Sequence, residues 1–174
     1  MRRRLLLTLV CLALSGCASV FPGQMLQGVD RSLTVGVLRS DPDRYRDARV
    51  VLAGEIIDTR PRAGGTEIEV LSRPLGDGDA PRRTDQTEGR FIMVAPDFLD
   101  PAVYARGRRV SMVGTIVGGE ERPVGGQPYR YIIARPDQIY LWPLPSAYGD
   151  PYPYPYAGYP YPYYFGRPYW PYYW

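Results

Sequence analysis

A small, mainly all-β barrel is the fold this chain predicts, and three observations predict it. Short apolar runs recur at close spacing, clusters of Gly, Pro and Asp separate them, and helix signals are scarce. A length of 174 residues allows one modest core and no second one. Strands are expected at 49–59, 67–72, 90–95, 109–117, 129–134 and 138–141, which makes a five- to six-stranded, OB-like barrel. Glu67-Ile68-Glu69-Val70 and Ser111-Met112-Val113-Gly114-Thr115-Ile116 show the near-alternation of strands with one wet face. Residues 74–88 are polar and hold Gly76, Gly78 and Pro81, the composition of an exposed loop. Gly118-Gly119 and Gly125-Gly126 are read as turns bracketing a connection. Ser32 is placed to cap a short helix running to Leu38.

An internal similarity ties the short helical turns to the strands. Asp41-Pro42-Asp43-Arg44-Tyr45 before Arg49-Val50-Val51-Leu52-Ala53-Gly54-Glu55-Ile56 matches Asp100-Pro101-Ala102-Val103-Tyr104 before Arg109-Val110-Ser111-Met112-Val113-Gly114-Thr115-Ile116. Asp caps, Pro fits the first helical position, and a Tyr one turn on can pack back on the strand that follows. Gly54 and Gly114 mark the bend where a small barrel curls. The expected role is a repeated entry device that seals the barrel ends, in preference to a duplicated binding element.

The first residues read as a processing signal. Arg2, Arg3 and Arg4 form a basic start, and an apolar run from Leu5 to Leu14 is interrupted only by Thr8, too short to span a bilayer. Leu14-Ser15-Gly16-Cys17 resembles the bacterial lipobox, in which the cysteine is lipidated and the leader is cleaved before it. Cys17 is then the lipid attachment site and the mature N-terminus. Several acyl chains hold such a protein to a membrane far more firmly than one chain does. By the same resemblance Ala18, standing where Asp commonly retains lipoproteins in the inner membrane, directs the chain to the outer membrane. Four segments follow: a signal peptide at 1–16, a lipidated tether at 17–32, the β-barrel domain at 33–143 and a Pro/Tyr-rich tail at 144–174. The tail holds 11 of the 16 tyrosines. Its alternation of Pro and Tyr blocks helix and denies ladder hydrogen bonds, so an extended or disordered low-complexity segment is expected.

Composition narrows the chemistry further. All 21 basic residues are Arg, with no Lys and no His. Imidazole bases, catalytic triads, His-metal sites, Schiff bases and P-loop lysines are therefore excluded. Cleaving the leader removes three arginines and leaves the basic residues equal in number to the 18 acidic ones. With Cys11 lost in the leader and Cys17 capped, no disulfide or thiolate site remains.

The surviving candidate sites have ordinary readings. Asp77-Gly78-Asp79, with Asp85 and Glu88, offers oxygen ligands for calcium but lacks EF-hand order, so a solvated loop is expected and no metal site is assigned. Glu67 and Glu69 share a strand face and imitate a glycosidase pair, yet neighbouring positions on an exposed face account for them. The Gly-Gly pairs precede no helix and cannot cradle phosphate. Arg106, Arg108 and Arg109 are placed to touch lipid phosphate or lipopolysaccharide, with a solvated loop as the preferred reading. No catalytic residue, cofactor or nucleic-acid partner is expected, since electroneutrality and an anchor outside the cytoplasm oppose oligonucleotide binding.

The ordered set of motifs resembles the Slp family of outer-membrane lipoproteins. It comprises the lipobox cysteine, Asp41-Pro42-x-x-Tyr45 with Val50-x-Leu52-x-Gly54-x-Ile56, Thr66 to Leu71 followed by Pro74-Leu75, and Gly89-Arg90-Phe91. It continues through Phe98-Leu99-Asp100-Pro101-x-x-Tyr104, Gly107-Arg108, Val113 to Ile116, and Tyr129-x-Tyr131 before Leu141-Trp142. The resemblance runs from Leu14 to Trp142 and leaves the tail outside it. It implies an outer-membrane lipoprotein of the starvation- or stress-induced kind, without catalysis. The function expected is structural or stress-protective, from a domain facing the periplasm. The alternative is an envelope binding module that recognises peptidoglycan or a partner protein through the barrel or the tail.

Overall fold

The computed structural model describes residues 19–144. The leader, Cys17 and the Pro/Tyr-rich tail lie outside the described residues. A helix α1 (Val35–Ser40) and a 3₁₀ turn (Pro42–Tyr45) lead into β1 (Arg49–Arg62), followed by β2 (Gly65–Ser72), β3 (Arg90–Ala95), β4 (Arg109–Val124) and β5 (Gln127–Leu141). The strands close into a barrel in the order β1-β2-β3-β5-β4, with β3 and β5 parallel and every other neighbouring pair antiparallel.

Five strands stand where five to six were expected, because the segments 129–134 and 138–141 are one continuous strand. The β4–β5 hairpin also reaches well past the anticipated end of β4. Gly118-Gly119, expected to be a turn, lies inside β4 just beyond a bulge between Ile116 and Gly118, while Gly125-Gly126 does form the hairpin turn. Turn-prone residues survive here because bulges absorb them and because Pro123 faces Pro128 at the hairpin tip. Thr34, not Ser32, caps α1, its hydroxyl accepting from the Val37 amide.

The core follows from alternation. Val50, Leu52 and Ile56 of β1, Ile68 and Val70 of β2, Phe91 and Met93 of β3, Val110, Met112 and Ile116 of β4 and Ile132 and Ala134 of β5 fill the interior. Each of the larger ones contributes roughly 1.5–3 kcal/mol by leaving water. Leu38 of α1 joins them, fully buried.

The repeated entry device is built into this core. Val50 pairs with Gly114 and Gly54 with Val110, so the β1–β4 ladder has a local two-fold between Leu52 and Met112. The same symmetry relates the hydrogen bonds Ile116 N to Ala48 O (3.0 Å) and Ile56 N to Arg108 O (2.9 Å). Because β1 and β4 are antiparallel, the two devices stand at opposite ends, and Tyr45 and Tyr104 each pack on the core. The first is a 3₁₀ turn; the second, at 101–104, is an irregular turn whose Asp100 carboxylate accepts from Ala102 N (2.8 Å). A side chain at Gly54 would collide with the Leu71 carbonyl, and one at Gly114 with the Arg135 carbonyl. Both glycines are therefore required by the curl of the strand.

Residues 19–32, expected to be a tether, are instead laid against the barrel. Val51 and Val113 point outward from β1 and β4, and Phe21, Val20, Met25, Leu26 and Val29 cover them. Phe21 is only 3% exposed. Val29 forms a parallel bridge to Arg49. The run Val50-Val51-Leu52-Ala53 carries no alternation because both of its faces are covered.

Candidate functional site

Strand alternation sends Ile68 and Val70 inward and therefore turns Glu67 and Glu69 outward together. They do not meet solvent as an exposed face would. Glu69 is 9% exposed and accepts from Arg90 (2.9 Å) and from the Tyr131 hydroxyl (2.7 Å), with Arg60 at 3.6 Å. Arg122, arriving from the extended part of β4, grips Glu67 with two hydrogen bonds (3.0 and 3.1 Å) and Glu120 with two more (2.7 and 2.9 Å).

The Arg122 hydrogen bonds hold the Glu67 and Glu120 carboxyls below the ordinary carboxylate range, and Arg122 itself is pushed further up. A glycosidase-type acid needs a raised pKa and space for a sugar. Here the gap between Asp58, Arg60, Glu67, Glu69 and Arg122 does not admit a water molecule. The correction to the expected exposed face has a simple cause: the extended β4 brings its own arginine over β2, a contact between residues 55 apart in the chain.

The Asp77-Gly78-Asp79 loop also departs from expectation. It makes a 3₁₀ turn, and Asp79 is 4% exposed, not solvated. Its carboxylate takes Arg31 Nη1 at 2.6 Å and the Ser19 hydroxyl, and its carbonyl takes the Ser111 hydroxyl at 2.7 Å. Burial pushes the Asp79 carboxyl up, but Arg31 and Ser19 outweigh it and hold the group below the ordinary range. Asp85 is exposed and Glu88 is engaged with the Gly36 amide (2.9 Å), away from this turn. Among the described residues no three acidic, Cys or His side chains gather where a cation would be held.

The arginines after the second turn, read first as a solvated loop, take three different environments. Arg106 is exposed, and Arg108 donates to the Val103 and Trp142 carbonyls, both at 3.1 Å. Arg109 instead turns into an open cleft of about 410 Å³ between the start of β4 and the loop after β2, shared with Arg73, Arg82 and Arg83. It donates to the Pro81 carbonyl and lies 5.8 Å from the ring centre of Trp142, whose indole N–H is fixed on Ser111 (2.8 Å). Burial, and then the charge of Arg83, push the Arg109 guanidinium down. Glu55 in the same cleft pairs with Arg73 at 3.2 Å, while Arg82, Arg83 and Arg109 form no ion pair among the described residues. Proximity of residues distant in sequence made this cleft illegible from the chain; of its charged residues Arg109 and Asp85 belonged to groups singled out there, and to different ones.

A match to the model of the Outer membrane lipoprotein Slp family covers residues 14–173. It includes Leu14, Ser15, Gly16 and Cys17 and, against expectation, runs on through the aromatic tail. The lipoprotein YeaY of Escherichia coli (strain K12) is 28% identical over 76% of this chain and 68% of its own length. The outer membrane protein Slp of the same strain is 24% identical over 90% of this chain and 85% of its own. Among solved structures, a mitochondrial single-stranded DNA-binding protein of S. cerevisiae covers 55% of this chain at 15% identity and a TM-score of 0.35, too distant to speak for any ligand. No described helix is long and apolar enough to cross a membrane. With the family model spanning nearly the whole sequence, this chain belongs to the Slp family of outer membrane lipoproteins.

Proposed function

We propose that the protein is held to the outer membrane by lipid on Cys17, behind the lipobox Leu14-Ser15-Gly16, and faces the periplasm. In this reading it serves a structural or stress-protective role in the envelope and catalyses no reaction. The observation that carries the reading is the seating of the N-terminal segment. Ser19, two residues after Cys17 in the sequence, bonds Asp79, and Val20 N donates to Gly78 O at 3.0 Å. An acylated Cys17 thus leaves almost no slack between lipid and barrel, which suits a body seated on the membrane surface. The paired charges over β2 support a non-catalytic role, since no carboxylate there is free to act as acid or nucleophile.

Metabolic labelling with palmitate tests the anchor: wild type is expected to take up label and fractionate with outer membrane, and label persisting in Cys17→Ala would refute it. A deletion strain challenged by acid, starvation and envelope stress tests the role. Retention of the protein on purified cell wall, lost when the chain is cut at Pro145, would replace this reading with that of a binding module.

A further inference from the structure

We infer that the cleft lined by Arg82, Arg83 and Arg109 binds the phosphate of an anionic phospholipid headgroup in the leaflet that carries the protein's own anchor. Three observations converge on it.

The first is charge without partners. Four arginines face this cleft against two carboxylates, Glu55 and Asp85. Glu55 is already paired with Arg73, and Asp85 is exposed at the edge. Around Glu67 and Glu69 arginines close on acids, whereas here three come together without an ion pair, an arrangement that an external anion would relieve.

The second is preorganisation. The Nε of Arg109 is buried without a hydrogen-bond partner, while its other end is fixed by the Pro81 carbonyl and the face of Trp142. Trp142 is in turn held by Ser111 and by edge contact with Tyr140, ring centres 4.7 Å apart. With Nε buried and Nη2 donating to Pro81, Arg109 keeps Nη1 for an anion, and a guanidinium fixed in this way loses little entropy on binding. Arg82 donates its Nε to the Leu75 carbonyl at 3.1 Å, which leaves its terminal nitrogens available to the cleft.

The third is location. Gly76 and Asp77 line an adjoining cleft with Arg82, Arg83 and Arg109, and they also line the depression that holds Ser19 and Asp79. The loop that receives the chain two residues after Cys17 is therefore the wall of the arginine cleft. This last step rests on the lipid anchor proposed above: acyl chains at Cys17 place the cleft at headgroup level, where phosphate is the abundant anion. The phosphate contacts would in turn fix how the barrel is turned on the membrane.

The test uses the full acylated chain in a nonionic detergent. Phosphatidylglycerol is titrated into the micelles at low salt, followed by Trp142 fluorescence in a Trp170→Phe, Trp174→Phe background. A saturable change is expected. Arg82→Ala with Arg83→Ala should move its midpoint about thirtyfold toward weaker binding, whereas Arg44→Ala with Arg130→Ala, removing equal charge elsewhere, should leave it in place. An equal response to phosphatidylcholine, an unchanged midpoint in the cleft variant, or saturation by inorganic phosphate at lower concentration than by lipid would each overturn the inference. The mass of the mature N-terminal peptide from the same preparation separates the two ideas. An unacylated chain that binds phosphatidylglycerol would sink the anchor and keep the cleft; an acylated chain blind to the lipid would do the reverse.

Discussion

The outer surface of β2 and the cleft beside β4 use the same residue type to opposite ends. Over β2, Arg60, Arg90 and Arg122 close on Glu67 and Glu69, and the surface is filled. In the cleft, Arg82, Arg83 and Arg109 gather without forming an ion pair among the described residues, although Glu55 and Asp85 also line it. The difference teaches that arginine content says nothing about function until each guanidinium has been traced to a partner. One group of charges stabilises the barrel, and the other costs the barrel stability and is available to something outside it.

This contrast can be broken most forcefully at Glu69. Replacing Glu69 by Ala strands Arg90 and the Tyr131 hydroxyl in a half-buried place, and a loss of about 2–3 kcal/mol is expected in urea unfolding at neutral pH. A change under about 0.5 kcal/mol would show that the paired face is decorative.

Arg122→Ala should cost less, about 1–2 kcal/mol, because Arg122 and Glu67 keep partial contact with water. Its signature lies in the pH dependence. Glu67, Glu120 and Asp79 all titrate below their ordinary range when folded. Between those folded values and the unfolded value of about 4, the unfolded chain binds protons that the folded chain does not, so stability rises with pH across that window. The stabilisation is complete at neutral pH, begins to fall below about pH 5 and is lost as pH drops through the folded values. Thermal melts followed by circular dichroism from pH 7 to pH 2 should trace that fall, and Arg122→Ala should flatten it. An identical acid profile in both proteins would contradict the assigned pairing.

Arg83→Ala has the smallest expected effect and the opposite sign. Removing one of several crowded like charges should leave stability within about 0.5 kcal/mol of wild type, on the stabilising side. A clear destabilisation would mean that Arg83 has a partner within the fold, and the cleft would lose its claim to an outside anion.

Much of the barrel was legible because its signals are local. Alternation located the cores of the strands, and the Asp-Pro-x-x-Tyr pairs with Gly54 and Gly114 marked the entries and bends that the local two-fold of β1 and β4 makes symmetric. The strand ends were not legible. Gly118, Gly119, Pro123 and Pro136 carry turn chemistry yet sit in the β4–β5 ladder, where bulges and the hairpin tip remove the need for regular hydrogen bonds. The polar loop after β2 looked solvated because nothing in its own composition reveals that Ser19, Arg31 and Ser111 will converge on Asp79. The same limit hid the arginine cleft, whose members come from β1, the loop after β2 and the start of β4. Sites of this kind are made by closure of the barrel, and no periodicity announces them.

The docked N-terminal segment bears on how such a protein is retired. A surface protein on a slack leash is shed when a protease finds the leash, and its body drifts away intact. Here Phe21 is buried, Val20 is bonded to Gly78 and Val29 is bridged to Arg49, so the stretch that would serve as the leash is part of the folded body. A protease would meet this stretch docked against β1 and β4, where peeling it away exposes more backbone to cleavage. With the anchor proposed at Cys17, cutting within the docked stretch would be favoured by its local opening, which couples release from the membrane to partial unfolding of the body.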